Sequence, residues 1–219
     1  MTDSPAFGFE PAMPFEGDAL ETGLLGPILG AQQFSGWRTE ATKWHETAYL
    51  GGAISTSPTL RIKGRDASKF LSDNTVNDYS KMRPGSIRHG IVCDEQGRIM
   101  QHGVIKMVGD DEFITMWLSP TLDWRWDRSN GAYDATVEDL TGQVFLFQIG
   151  GPRSLEIIEA ASGEDFHDLP FTKHRESTIA GGKVSVLRLG MAGTLSYEVH
   201  GSISDAHAVY KATTRMFGI

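Results

Sequence analysis

Apolar and polar positions in this chain alternate with two periods, and the period changes at glycine-containing turns. Spacing predicts a short helix over Trp37–Tyr49, with Trp44 and Ala48 four apart on one face. Leu60–Lys63 alternates as a strand and Gly64 turns it. A helix then starts within Arg65–Leu71, bearing Ala67, Phe70 and Leu71. Ile87–Cys93 and Ile99–Val108, joined by Asp94-Glu95-Gln96-Gly97, read as a hairpin with Gly97 in the left-handed turn position. Glu112–Trp117 is a further strand, and Ser119-Pro120 predicts a helix start with Ser as N-cap and Pro at the first helical position. The same order then returns: strand Val144–Ile149, turn Gly150-Gly151-Pro152, helix Arg153–Ala161. Strands Ser177–Ile179, Lys183–Leu189 and Ser196–His200 follow, and a helix Asp205–Met216.

The return is residue by residue in one stretch. Leu60 to Leu71 aligns without gaps on Phe147 to Ile158, strand on strand, glycine turn on glycine turn, helix on helix. Two such halves predict an α+β fold made of two β-α-β-β-α (ferredoxin-like) units with helices packed on antiparallel sheets. The expected organisation is a leader over 1–36, a first unit over 37–142 and a second over 143–219.

Composition narrows the function classes. The chain of 219 residues is 40% hydrophobic and 22% charged, with 20 Lys plus Arg against 28 Asp plus Glu, as expected for a globular protein with a real core. Asp3, Glu10, Glu16, Asp18 and Glu21 precede the first basic residue, Arg38, so much of the net charge of −8 belongs to the leader. That leader also holds Pro5, Pro11, Pro14 and Pro27, and its composition argues against helix or sheet and for a strap pinned by Phe7, Phe9, Phe15, Leu24 and Leu25. The acidic balance without a Lys/Arg run argues against nucleic-acid binding. No apolar stretch reaches the roughly 18 residues of a membrane helix, and no secretory signal is evident, so a cytoplasmic location is the expectation. Cys93 is the single cysteine, which leaves no intrachain disulfide and no CxxC metal site.

General catalytic motifs are absent: no GxSxG, HExxH, Walker loop or GxGxxG. The histidines at 45, 89, 102, 167, 174, 200 and 207 lack ligand spacing, and no metal is expected. Gly150-Gly151-Pro152 offers amides to an anion or simply starts a helix. Trp117, Trp124 and Trp126 line a pocket or fill core. The distinctive segment is Arg188 to His200, where glycines three apart lead into a strand carrying Glu198 between Tyr197 and Val199. By alternation Glu198 faces solvent or a cavity. In a cavity its carboxylate would seek two parallel N–H donors.

Gly190 to Glu198 is similar to the Gly-Tyr-Thr-Gly-Glu-x-Gly-φ-Glu loop of the aminomethyltransferase family, the glycine-cleavage T-protein and its tetrahydrofolate-dependent relatives. Phe147 to Pro152 resembles the family's strand-turn, and Ile62 to Leu71 its φ-x-G-x-D-A-x-x-φ-L segment. Phe34 to Glu40, Leu71-Ser72-Asp73 and Gly190 to Gly193 resemble the subgroup of aryl O-demethylases acting on vanillate or syringate. The resemblance, over about Leu24 to Ile219, implies a T-protein-like folate-binding fold with tetrahydrofolate as cofactor. It puts the pterin-binding glutamate at Glu198 and a pterin-contacting glutamine at Gln148, with Met116 and Met191 on the apolar wall. His102, preceded by Gln101, takes the place of the family's acidic residue and is the candidate catalytic acid. The demethylases' arginine falls on Leu118 and their histidine pair on Ser55 and Thr56, while their substrate-side tyrosine has no counterpart.

The resemblance implies a one-carbon transferase, O-demethylating a methoxylated aromatic acid, with the family's later domain expected to be missing. Alternatives are a non-catalytic folate-binding or interaction module on the same fold, and an aminomethyltransferase of the glycine-cleavage type. A partner domain or self-association would cover the face that a later domain otherwise covers.

Overall fold

A computed structural model describes residues 21–25, 28–54, 57–190 and 193–218. Strands β1 (Glu21–Leu25) and β2 (Ile28–Gln33) pair antiparallel, Leu24 opposite Leu29. This corrects the expectation of no sheet before Trp37; the strap residues Phe7, Phe9 and Phe15 lie outside the described residues. Helix α1 spans Trp37–Glu46. Its start is held from the side chains: the Gln33 carboxamide oxygen accepts the Trp37 amide at 2.7 Å, and Glu40 Oε1 accepts the Phe34 and Ser35 amides at 2.6 and 2.7 Å. The helix ends before the Tyr49 expected in it, because Tyr49 opens strand β3 (Tyr49–Ile54), whose Gly51-Gly52 disfavours helix.

Next in chain order come β4 (Thr59–Lys63), α2 (Ala67–Asn74), β5 (Ile87–Cys93), β6 (Ile99–Gly109), β7 (Glu112–Met116), α3 (Thr121–Asp127) and β8 (Thr136–Asp139). The second round is β9 (Val144–Gly150), α4 (Ser154–Ser162), β10 (Lys173–Ile179), β11 (Gly182–Arg188), β12 (Ser196–Ser202) and α5 (Ala206–Arg215). Each round is β-α-β-β-β-α, one strand more than the expected β-α-β-β-α. The echo holds in detail, since α2 begins at Ala67 and α4 at Ser154, the positions aligned with one another. Gly97 sits at φ 77°, the left-handed position expected of the hairpin turn. At α3 the expected cap differs: Pro120 occupies the cap position, and Ser119 Oγ donates instead to the Asp123 carboxylate at 3.2 Å.

The two five-stranded sheets have the orders β10-β11-β12-β9-β3 and β5-β6-β7-β4-β8. These are the same order, with one exchange at the last strand. The strand that precedes β4 in the chain, β3, pairs with β9; the strand that precedes β9, β8, pairs with β4. The described contacts accordingly group into a first unit (the chain to residue 56 with 142–171 and 175–219) and a second unit (57–141 with 172–174). Residues 37–56 thus group with the second half of the chain and not with the stretch 57–142 that the sequence joined them to.

The core of the first unit is one face of its sheet, with Phe145, Phe147, Ile149, Val184, Val186, Tyr197 and Val199, closed by Ile157 and Ile158 of α4 and Val209 of α5. The second unit repeats this with Leu60, Ile62, Ile105 and Phe113 under Phe70 and Leu71 of α2 and Leu122 of α3. Strand alternation leaves the other face of each sheet for something else. Among the described residues no helix is long and apolar enough to cross a membrane.

Candidate functional site

On the first unit's sheet, the face away from the core carries Tyr49 of β3, Gln148 of β9, and Glu198 and His200 of β12. Register brings them together: Glu198 lies directly across from Gln148, and Gln148 across from Gly51, two residues beyond Tyr49. Directly opposed residues have Cβ atoms about 5 Å apart, so the carboxylate and the carboxamide are neighbours. The Glu198 side chain is only 13% exposed, which decides for a sheltered position over the solvent-facing alternative.

Each of the pair is held by a further side chain. His200 Nε2 lies 2.9 Å from Glu198 Oε2. An ionised carboxylate only accepts, so in this contact the imidazole donates. The Tyr49 hydroxyl donates to Gln148 Oε1 at 2.7 Å. The phenol stays protonated, because burial and then the negative charge of Glu198 raise its pKa above the ordinary value. Space for the Tyr49 ring comes from Gly150, where a Cβ would stand 2.5 Å from the ring carbon Cε1. Among the described residues, His200 gives Glu198 its one hydrogen bond, and the Gln148 amide nitrogen makes none. The site therefore presents an unfilled carboxylate acceptor beside an unfilled amide donor. A pterin edge carries the complement: a 2-amino group and a ring N–H to give, and a 4-oxo group to receive.

The sequence singled out Gln148 and Glu198, and they meet. Tyr49 and His200 it missed. Tyr49 reaches a partner 99 residues away through a strand pairing that no local pattern encodes. His200 was legible, because two residues apart on a strand share a face.

Met116 and His102 belong to the second unit. Met116 is buried and pairs with Val104 and Thr59. His102 is exposed on the strand face of Val104, with Nε2 3.0 Å from Nδ1 of His89. Gln101 is structural: its amide donates to the Ser119 carbonyl and accepts the Thr121 amide at 3.0 Å, fastening α3. Leu118, in the demethylases' arginine position, is fully buried in the core. Met191, Ser55 and Thr56 lie outside the described residues.

Three other sequence candidates resolve structurally. The turn amides of Gly151 and Arg153 are already bound to the carbonyls of Leu195 and Thr47, which removes the anion reading of Gly150-Gly151-Pro152. Trp126 packs edge-on against Phe70 at 5.2 Å. Trp124, in contrast, borders a cavity of about 590 Å³ with Cys93, Met100, Pro120 and Arg125. Among the described residues, Glu198, Gln148 and Met116 do not line that cavity.

The chain is 42% identical over 182 residues to a sesamin methylene transferase of Sinomonas sp. (strain No.22), a match covering 82% of this chain and 40% of that protein. It is 27% identical over 190 residues to a syringate O-demethylase of Sphingobium sp. (strain NBRC 103272 / SYK-6), covering 82% and 41%. The fold matches the crystal structure of the glycine cleavage system aminomethyltransferase T from Bartonella henselae with a TM-score of 0.78, at 18% identity, over 89% of this chain and 53% of that one. The chain thus spans about two fifths of the length of these curated relatives. Residues 5–216 match the GCVT N-terminal domain, and the chain belongs to that family.

Proposed function

We propose that this chain is the pterin-recognising part of a tetrahydrofolate-dependent one-carbon transferase whose carbon comes from an aryl ether. The observation that carries the reading is the sheltered pair Glu198–Gln148, an acceptor and a donor side by side with their ligand-facing groups unfilled. Bound there, tetrahydrofolate would supply the N5 nucleophile that takes up the carbon. Glu198 would accept the 2-amino and ring N–H hydrogens, and Gln148 would donate to the 4-oxo group, fixing the ring's orientation.

The names of the relatives support an aryl ether as donor. One removes methyl from the oxygen of syringate, a methoxylated aromatic acid. The relative at 42% identity transfers a methylene group from sesamin, and this favours a second reading in which the unit moved is methylene, not methyl. In both readings the bond between the ether oxygen and the transferred carbon breaks, the carbon passes to the folate nitrogen, and the phenolate left behind needs a proton. The family resemblance makes His102 the residue we propose as its source. Catalysis by the whole protein would draw on further residues, as the curated relatives are more than twice as long.

The test is equilibrium binding of tetrahydrofolate to the chain and to Glu198→Gln under anaerobic conditions. Losing a charge-assisted pair should weaken binding by about 2–3 kcal/mol, or 30- to 150-fold. Unchanged affinity would refute the site. Incubation with a methoxybenzoate or a methylenedioxybenzene then distinguishes the donors by the folate product formed. Binding with neither product would favour a folate-binding module.

A further inference from the structure

We propose that Tyr49 is a positioning residue that sets the hydrogen-bond polarity of Gln148, so that the site selects a 4-oxo pterin over a 4-amino one; this rests on the reading of Glu198 and Gln148 given above. A carboxamide has two ends of nearly equal shape and opposite polarity. Which end meets a ligand is decided by what holds the other. Here the Tyr49 hydroxyl donates to Oε1 at 2.7 Å and leaves the amide hydrogens for the ligand.

Three observations fix this direction. The hydroxyl is kept protonated, since burial and the Glu198 charge both oppose its ionisation. Glu198 stands directly opposite Gln148 in the register, so the reversed amide would turn its oxygen toward a carboxylate, acceptor against acceptor. The phenol ring is itself confined, because it lies over Gly150 with no room for a Cβ beneath it. His200 performs the parallel task for the carboxylate by donating to Oε2 at 2.9 Å.

The consequence is a specificity. A 4-oxo ring offers N3–H and a carbonyl, matching Glu198 and the Gln148 amide hydrogens in order. A 4-amino ring offers an unprotonated N3 and an NH₂, which sets acceptor against carboxylate and donor against donor. Freed from Tyr49, the Gln148 amide loses the donor that holds its oxygen, and its rotation to meet the NH₂ is then opposed by Glu198 alone.

Titration of the full chain with tetrahydrofolate and with its 4-amino analogue, tetrahydroaminopterin, tests this. The wild type should prefer the oxo ring by about tenfold or more for each of the two reversed contacts. Tyr49→Phe removes one oxygen and keeps the ring over Gly150. It should narrow the ratio by about threefold or more, chiefly by tighter binding of the 4-amino ring, and leave the oxo ring ahead because the mismatch of N3 with the Glu198 carboxylate does not involve Tyr49. Tyr49→Leu should move the ratio the same way and serves if the Phe variant folds poorly. A wild type indifferent to the two rings overturns the proposal. So does a Tyr49→Phe chain with an unchanged ratio, or one that loses both affinities by a common factor, as a purely structural role would cause. The Glu198→Gln control separates the two levels. If it binds tetrahydrofolate normally, the pterin reading itself fails. If it weakens binding while Tyr49→Phe leaves the ratio unchanged, only the role of Tyr49 falls.

Discussion

Replacing Gly150 with Ala tests the geometry of the site without touching a hydrogen-bonding group. Gly150 is outside the positive-φ glycines, so its backbone accepts an L-residue. The obstacle is the Tyr49 ring: the new methyl would stand 2.5, 2.7 and 2.8 Å from its Cε1, Cζ and hydroxyl oxygen. Ordinary carbon contacts begin at about 3.5 Å, so the ring must retreat by about 1 Å. A 2.7 Å hydrogen bond to Gln148 does not survive that displacement. The lost bond costs about 1 kcal/mol and residual overpacking about 1–3 kcal/mol. Against this, Gly→Ala at a compatible backbone gains about 0.4–1 kcal/mol. Net destabilisation should be about 1–3 kcal/mol, read from urea unfolding by tryptophan fluorescence. The sharper reading is the cycle with Tyr49→Leu, which removes the ring that the methyl strikes. The double variant should be more stable than the sum of the singles by about 1–2 kcal/mol. Additive singles, or a Gly150→Ala chain as stable as wild type, would mean that the ring does not lie where the structure puts it.

Further outcomes are expected elsewhere. Phe70→Ala removes a fully buried ring that meets Trp126 and Tyr133 edge-on, both at 5.2 Å, and should cost about 3–5 kcal/mol in urea unfolding of the second unit. His167 sits 2.9 Å from Glu159 and 3.3 Å from Asp165, and the Glu159 hydrogen bond and charge raise its pKa above 6.5. Its contribution is therefore complete below about pH 6.5 and disappears as pH rises through the higher folded value, so the urea midpoint should fall across that window less steeply in His167→Gln than in wild type. Burial raises the pKa of Asp123 above 3.8, aided by the charges of Asp139 and Asp127 and opposed by the Ser119 hydroxyl. Its ionised form is thus disfavoured in the fold, and Asp123→Asn should raise the melting temperature at pH 7 more than at pH 4; a decrease at pH 7 would contradict the assignment.

What the sequence disclosed and what it withheld divide along the range of the interactions. Period and turn chemistry are local, and they placed β9, α4, the β5–β6 hairpin and the common start of α2 and α4 within a residue or two. Strand pairing is not local. Tyr49-Leu50-Gly51-Gly52 carries no alternation strong enough to separate it from the preceding helix, and nothing in it names β9 as its partner. The β1–β2 pair was obscured in another way, because the proline and glycine content of the leader as a whole masked two short stretches, Glu21–Leu25 and Ile28–Gln33, that do pair. At Glu198, alternation left two faces open, and only burial chose between them.

The duplication adds a final point about where the recognition chemistry resides. With the two halves aligned, Gln148 corresponds to Arg61, and its cross-strand neighbour Glu198 corresponds to Ile114, which faces Arg61 in the β4–β7 register. The fold repeats, yet the acceptor–donor pair does not. Arg61 is instead ion-paired with Glu138 at 2.8 Å and with Glu112 at 3.2 Å, its side chain 41% exposed, an arrangement worth little to stability. Tyr49, too, reaches only one copy, because the strand exchange sends β3 to β9 while β8 completes the other sheet. β8 places Glu138 opposite Arg61, where β3 places Gly51 opposite Gln148. The exchange therefore differentiates the two sheets at the same register position: one receives a carboxylate that neutralises its arginine, and the other a glycine that leaves the amide uncovered. Exchanging the residue types, Gly51→Glu, should place a carboxylate beside Gln148, take up the amide hydrogens left for the ligand, and weaken tetrahydrofolate binding by about tenfold with the fold retained by circular dichroism.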